Sequence, residues 1–301
     1  DTAVLTVTIN GVNDAPVMFS PAAISFDGTS AGYVDLGDLD IMDGVAQYTF
    51  ETWVYVDSFG TWETMVGKRT NNSDRALAIQ SNGTSGQLGV AVSEGHGYTS
   101  GTLSTGQRHH LAVVYNGTLP TNAERLVLYV DGNQMTFSFL GSVPDTTPSG
   151  SSSRLVLGAE YNSPAPGGGA ALPMDGSMAE VRLWSDARTQ AEIQANMNKT
   201  LTGSEANLVG YWDFSEGSGT TTADDSPNSN TGTLTGAGMT WGSGPTLGWG
   251  SHSLTSTNED TTSSSTQVSA VLTGLGYTDA DGGAQGMAVT AATGNGTWQF
   301  S

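Results

Sequence analysis

Two kinds of side chain in this 301-residue sequence could do chemistry: carboxylates grouped in turns, and aromatic rings set among planar polar groups. Asn13 with Asp14, Glu259 with Asp260, and Asp279 with Asp281 place side-chain oxygens in polar turns. A hard dication takes about six to eight such oxygens at short range, and Ca²⁺ is the cation that accepts them from carboxylates, amides and backbone carbonyls. Asn and Asp also brace loops through local side chain–backbone bonds, so plain turn chemistry competes with metal binding at these positions. The second kind falls in three polar stretches. They are Trp62 with Lys68, Arg69, Asn71, Asn72 and Asp74; then Glu94, His96 and Tyr98; then Glu160, Tyr161 and Asn162. Sugar recognition asks for this mixture: an aromatic plate for the C–H face, and amides, carboxylates or guanidiniums for the hydroxyls. Trp53, Trp184 and Trp212 sit instead in alternating runs and are expected in the core.

Catalytic sets are harder to find. Glycoside hydrolysis needs two carboxylates about 5–10 Å apart across the scissile bond. In a strand that means acids at alternating positions, and no such run occurs. His109-His110 lies in an apolar strand where at most one ring points outward, and no nucleophile-elbow motif supplies a serine. Without cysteine there is neither a thiolate nucleophile nor a disulfide. The expectation is a protein that binds and does not cut.

Charge narrows the partners. Nine Lys+Arg against 29 Asp+Glu leave a formal charge of −20, which repels duplex nucleic acid and anionic membranes. No apolar run approaches the roughly 18 residues that span a bilayer. Surplus acid suits an extracellular chain that takes up Ca²⁺. The opening in a strand-like run and the stop at Trp298–Ser301 read as a piece of a longer polypeptide.

The elements that must position these groups are short. With 41 glycines and abundant Ser, Thr and Asn between β-branched runs, an all-β protein is expected. Strand candidates are Ile24–Phe26, Tyr33–Leu36, Tyr48–Val56, Ala76–Ile79, Leu88–Val92 and His109–Tyr115. They continue with Arg125–Val130, Met135–Phe139, Arg154–Leu157, Met178–Trp184 and Leu208–Phe214. Asp131-Gly132 signals a hairpin. The one helix expected runs from Thr189 to about Met197. Three segments separate: residues 1–17, a lone strand ending in a proline-closed turn; 18–248, the body; and 249–301, a linker and a further β fragment. The linker is expected to begin at Gly242-Ser243-Gly244-Pro245.

Within the body, blocks in a fixed order resemble the laminin G-like, concanavalin A-type family. They are Phe26-Asp27-Gly28, Tyr33–Leu36, Phe50–Val54, His109–Tyr115, Leu128–Gly132, Leu157–Ala159, Asp175–Trp184 and Gly210–Gly219. The resemblance implies a two-sheet antiparallel jelly-roll sandwich with one short helix, flanked here by partial β-sandwiches. It also implies a Ca²⁺ held by Asp27 and Glu180, although the acid common before that glutamate is Ala179 here. In that topology the three aromatic stretches fall near one rim or the concave face and can converge.

The flanks resemble bacterial cadherin-like repeats: Gly11–Val17 their terminal motif, Asn258-Glu259-Asp260, Asp279–Gly282 and Gly294–Trp298 the opening of another. Such repeats build the stalks of large secreted RTX-type adhesins, where Asn13, Asp14, Glu259, Asp260, Asp279 and Asp281 would stiffen repeat junctions through Ca²⁺. The expectation is a calcium-dependent, non-catalytic carbohydrate-binding module of a secreted adhesin on a bacterial cell surface. Its partners would be glycan or peptide on a host cell or in a biofilm, and the neighbouring stalk repeats. Two rivals are a structural spacer of the stalk and an ancillary module of a polysaccharide-degrading enzyme.

Overall fold

The alternating runs pair into two antiparallel sheets in the computed structural model, which describes residues 22–29, 32–71, 73–149, 152–161 and 170–243. In chain order the first strands are β1 (Ala22–Asp27), β2 (Tyr33–Asp35), β3 (Gln47–Ser58), β4 (Thr64–Lys68) and β5 (Leu77–Ser81). Then come β6 (Gln87–Val92), β7 (Gly95–Thr102), β8 (Arg108–Asn116), β9 (Leu126–Val130), β10 (Asn133–Gln134) and β11 (Phe137–Leu140). The chain continues through β12 (Leu155–Leu157), β13 (Glu160–Tyr161), β14 (Ala170–Ala171) and β15 (Asp175–Trp184). It finishes with β16 (Leu208–Trp212), β17 (Thr221–Thr222), β18 (Gly232–Thr235) and β19 (Met239–Ser243).

One sheet has the order β10-β9-β8-β3-β15-β1-β19, with β16 also paired to β15; the other has the order β11-β7-β6-β5-β4-β12-β2-β18-β17. Phe50, Val54, Leu111, Val113, Met178 and Val181 from the first meet Val34, Val66, Ile79, Leu88, Val90 and Leu155 from the second in one core cluster. Because strand residues alternate between faces, the neighbours of these core residues point away from the core and are free to build sites. The expected two-sheet jelly roll is the fold observed, and Trp53, Trp184 and Trp212 are buried as expected.

Four details differ from the sequence reading. Two α-helices form where one was expected: α1 (Asn122–Arg125) and α2 (Gln190–Asn196), each opened by a capping box, Thr121 with Glu124 and Thr189 with Glu192. The run Met135–Phe139 is not one strand. β10 pairs with β9 in one sheet and β11 with β7 in the other, so the chain crosses between sheets there. Gly242 and Ser243 belong to β19, paired with β1, so they do not begin a linker. β4 and β7 form in polar stretches where no strand was expected. Among the described residues no helix is long and apolar enough to cross a membrane.

The outward face of the sheet containing β3, β8 and β15 is closed by α2 and its flanks. Ile193 packs on Ala112 and Val114, and Leu201 packs with Trp184, Leu208 and Tyr211.

Candidate functional site

On the outward face of the other sheet, β4 to β7 and the β13–β14 hairpin enclose a groove of about 250 Å³. Its floor is Gly89 and Ala91 of β6, whose sequence neighbours Leu88, Val90 and Val92 point into the core. Small residues leave the backbone open to close approach. Gly89 has a further reason to lack a side chain: a Cβ there would lie 3.2 Å from Cε1 of Tyr98. The tyrosine ring therefore lies across β6 and does not stand off it.

One wall comes from β7. His96 and Tyr98 project from the same face two residues apart, their rings nearly parallel at 15° with centroids 6.1 Å apart. Trp62 and Leu172 form the opposite lip. Both hold left-handed backbone, with φ of 65° and 55°, and the amide of Thr64 donates to the Leu172 carbonyl at 2.9 Å, tying the two segments of this lip together. Trp62 is 42% exposed, one of few large apolar side chains among the described residues that are. A bulky non-glycine residue rarely adopts positive φ, and such strain persists where the surroundings or function impose it.

The polar groups of the groove are Arg69, Arg75, Gln80, His96 and Glu160. Arg69 is ion-paired with Glu160 of β13, which anchors the hairpin over the sheet. Arg75 is buried, and its Nη1 donates to the Ser93 carbonyl at 3.3 Å and to His96 Nε2 at 3.1 Å. A guanidinium only donates, so Nε2 accepts and the ring proton sits on Nδ1. Burial, followed by the like charge of Arg69, lowers the Arg75 pKa to about 10, so it stays charged at neutral pH. Burial, then the Arg75 charge, pushes the His96 pKa below its ordinary value despite Glu94, so this ring is neutral. Gln80 donates to Thr64 Oγ1 at 2.8 Å and keeps its carbonyl for other partners.

Three stretches distant in the sequence therefore converge, through Trp62 and Arg69, His96 and Tyr98, and Glu160. Asn71 and Asp74 do not join them. Asp74 accepts from the amides of Thr70 and Asn71 at 2.9 and 2.8 Å, while Asn71 Oδ1 accepts from Ser73 at 2.9 and 2.7 Å, so both brace the turn. Glu94 is exposed beside the groove and acts on His96 through its charge. Lys68 is buried against Asp38 and Asp43. Tyr161 pairs through its backbone with Ala170, whereas its side chain, Asn72 and Asn162 lie outside the described residues. Arg75, Gln80 and the small floor were missed. Gly89 and Ala91, alternating with three aliphatics, were the available signal for a flat outward surface.

The two acids expected to share a calcium are not brought together. Asp27 faces Asp175 across the β1–β15 register, five positions along β15 from Glu180, roughly 16 Å at strand rise. Glu180 sits at φ 51° in the bulge of β15, 2% exposed. Its Oε2 accepts from Arg182 at 2.7 Å and from the Tyr211 hydroxyl at 2.9 Å, so the carboxylate is tied to its own sheet. Asn13, Asp14, Glu259, Asp260, Asp279 and Asp281 lie outside the described residues. A different cluster does fit a hard cation: carboxylate oxygens of Asp38, Asp40 and Asp43 lie within 4.8 Å of one another. Lys68 Nζ stands 3.0 Å from Asp38 and 3.1 Å from Asp43, supplying one positive charge there. Burial pushes the Asp43 carboxyl above its ordinary value, with Lys68 opposing.

Comparison with known proteins follows the same outline. Residues 27–194, over half the chain, match a laminin G-type family model described as the concanavalin A-like lectin/glucanases superfamily. Among solved structures, a Bacteroides ovatus protein described as a candidate carbohydrate-binding protein gives a TM-score of 0.57 at 21% identity. The match covers 74% of this chain and 59% of that one. The heptameric SAP-like pentraxin of Limulus polyphemus gives 0.54 at 15% identity, covering 77% of this chain and 99% of that one. At such identities the likeness is one of fold. No curated protein matches the chain significantly.

Proposed function

We propose, for a chain that belongs to the concanavalin A-like lectin/glucanases superfamily, that the groove beside β7 binds carbohydrate without cleaving it. The observation that carries this reading is the convergence of Trp62, Tyr98 and His96 with Arg69, Arg75, Gln80 and Glu160 around a floor of Gly89 and Ala91. Sugar C–H faces pack on the rings, and hydroxyls replace water at the guanidiniums, the carboxylate and the amide. Among the described residues the groove offers no pair of free acids for glycosidic cleavage, because the one carboxylate lining it there, Glu160, is held by Arg69.

Pre-set rings and a salt-bridged hairpin reduce the ordering that binding would otherwise require. Ca²⁺ at Asp38, Asp40 and Asp43 would neutralise acids that Lys68 balances only in part, and fix the turn that carries them. The wider setting is a secreted bacterial adhesin whose stalk repeats flank the module. It rests on the motifs at Gly11–Val17 and Asn258–Asp260, and the sequence of the whole gene tests it. The resemblance of the Bacteroides ovatus protein in fold favours glycan over peptide as the ligand.

A glycan array, followed by calorimetry on the best ligand, tests the groove. Binding that weakens on Trp62→Ala and disappears with Tyr98→Ala added supports the reading. An array without a ligand, or affinity indifferent to both substitutions, overturns it.

A further inference from the structure

Away from the groove, three side chains stand in a relay that the sequence order conceals. Ser104 lies on the link between β7 and β8, His109 near the start of β8, and Asp131 in the β9–β10 turn. Ser104 Oγ is 2.8 Å from His109 Nε2, and His109 Nδ1 is 2.7 Å from Asp131 Oδ2. The other carboxylate oxygen, Oδ1, accepts from the His110 amide at 2.8 Å, and the Asp131 amide donates to the His110 carbonyl at 2.9 Å. Asp131 is thus bound at both ends of its side chain and at its backbone.

A carboxylate only accepts, so the Nδ1 proton points to Asp131 and the Nε2 lone pair faces the serine hydroxyl. That is the tautomer a general base needs. Ser104 is exposed while His109 is buried to 9% exposure, so the nucleophile is open to solvent and its base is not. Gln107 Nε2 donates to Ser104 Oγ. The amides of Ser104 and Thr105 have no acceptor among the described residues, which leaves donors on the nucleophile's own turn for a developing oxyanion.

We infer that Ser104, His109 and Asp131 form a second site, one that hydrolyses small, unhindered O-acyl esters. The class follows from the exposure: among the described residues nothing encloses Ser104 to grip a long acyl chain, and a Cβ on Gly106 beside it would have no atom within 4 Å. Acetyl esters of hydroxyl compounds, sugars among them, meet that description. In the step, Oγ bonds to the acyl carbon as its proton passes to His109 Nε2. The C–O bond to the alcohol then breaks, and the alcohol leaves with that proton. Water gives a proton to Nε2 and attacks the acyl carbon, and Oγ departs and regains the proton. Ester and water become carboxylic acid and alcohol, with no other reactant. Asp131 is a positioning residue here, acting through the imidazole.

None of these residues lines the groove, so the two readings fail independently. The test treats the whole chain with a fluorophosphonate probe, maps the label by peptide mass spectrometry, and follows 4-nitrophenyl acetate hydrolysis. Expected is label on Ser104 and turnover exceeding that of Ser104→Ala by about a hundredfold or more. Asp131→Asn, which keeps a residue suited to the left-handed turn, should lower kcat with KM unchanged and the melting temperature held. An unlabelled Ser104, turnover equal in Ser104→Ala, or an Asp131→Asn variant with unaltered kcat would overturn the assignment.

Discussion

Trp62, held at φ 65° and 42% exposed, carries both backbone strain and poor burial, so the fold gains little from it and a ligand has more to gain. Trp62→Ala should weaken glycan binding by about tenfold to a hundredfold, on the order of an aromatic hot spot. Trp62→Gly should lose the same affinity yet melt no lower than the parent, because glycine relieves the left-handed strain. A calorimetric titration beside a melting curve separates the two effects. His96 makes a prediction of opposite kind. Its pKa is depressed by burial and by Arg75, against Glu94 and with a smaller push from Arg69. A base with a lowered folded-state pKa contributes stability above its unfolded pKa, near 6.5, and loses it as pH falls through the folded value. The parent should therefore lose more melting temperature than His96→Gln between pH 7 and pH 5. Equal losses would mean that the ring does not sense its neighbours.

β7 explains where sequence reading stopped. Its run Gly-His-Gly-Tyr-Thr-Ser-Gly-Thr has the composition of a loop, so His96 and Tyr98 looked like loop residues. The glycines serve packing instead: a Cβ on Gly97 would lie 2.7 Å from Phe137 of β11, and one on Gly95 2.6 Å from the Val143 amide. Only the partner strand reveals this, and that partner is itself the half of Met135–Phe139 that changes sheets. By contrast β3, β8 and β15 were legible because their buried faces are continuous and apolar, and α2 because Ser185-Asp186 precede a run of helix formers. The convergence of the groove was legible as residue types but not as geometry, since Arg75 and Gln80 acquire meaning only from the β5–β6–β7 register. Gly97→Ala should destabilise by about 1–3 kcal/mol through overpacking, and adding Phe137→Leu should restore much of it. Additive losses in a double-mutant cycle would show that the ring is not the obstacle. On the opposite face, Glu51 is fully buried with His110 Nε2 at 3.2 Å and Arg188 Nε at 3.4 Å. Burial pushes its carboxyl up, but His110, Arg182 and Arg188 together hold it below the ordinary range. Glu51→Gln leaves Arg182 and Arg188 without their anion and should cost about 3–5 kcal/mol, read as a lower denaturant midpoint.

At the scale of the whole chain, burial does not dilute the net charge. Five of the nine basic residues (Lys68, Arg69, Arg75, Arg182 and Arg188) are buried, and so are five acids, Asp35, Glu51, Glu160, Glu180 and Asp224, so burial among the described residues removes no net charge and the self-repulsion of the surplus acids stays. Screening such self-repulsion should raise the melting temperature with NaCl. At matched ionic strength CaCl₂ should raise it further, by about 2.7 kcal/mol of stabilisation at a hundredfold excess over Kd. An Asp40→Asn/Asp43→Asn variant should lose that increment, and a parent whose melting curve ignores both calcium and EDTA would remove the metal proposal. The β9–β10 turn has a practical consequence of its own. Its Gly132 carbonyl accepts from Gln190 and Gln194 of α2 at 2.8 and 2.9 Å, while Asp131 reaches back to β8. Hairpin tips are ordinarily where engineers splice in fluorophores, epitopes or new termini. In this molecule the same manoeuvre at residues 131–132 would unfasten a helix on one side and an imidazole on the other, so labels belong elsewhere, for instance near the open Gly83.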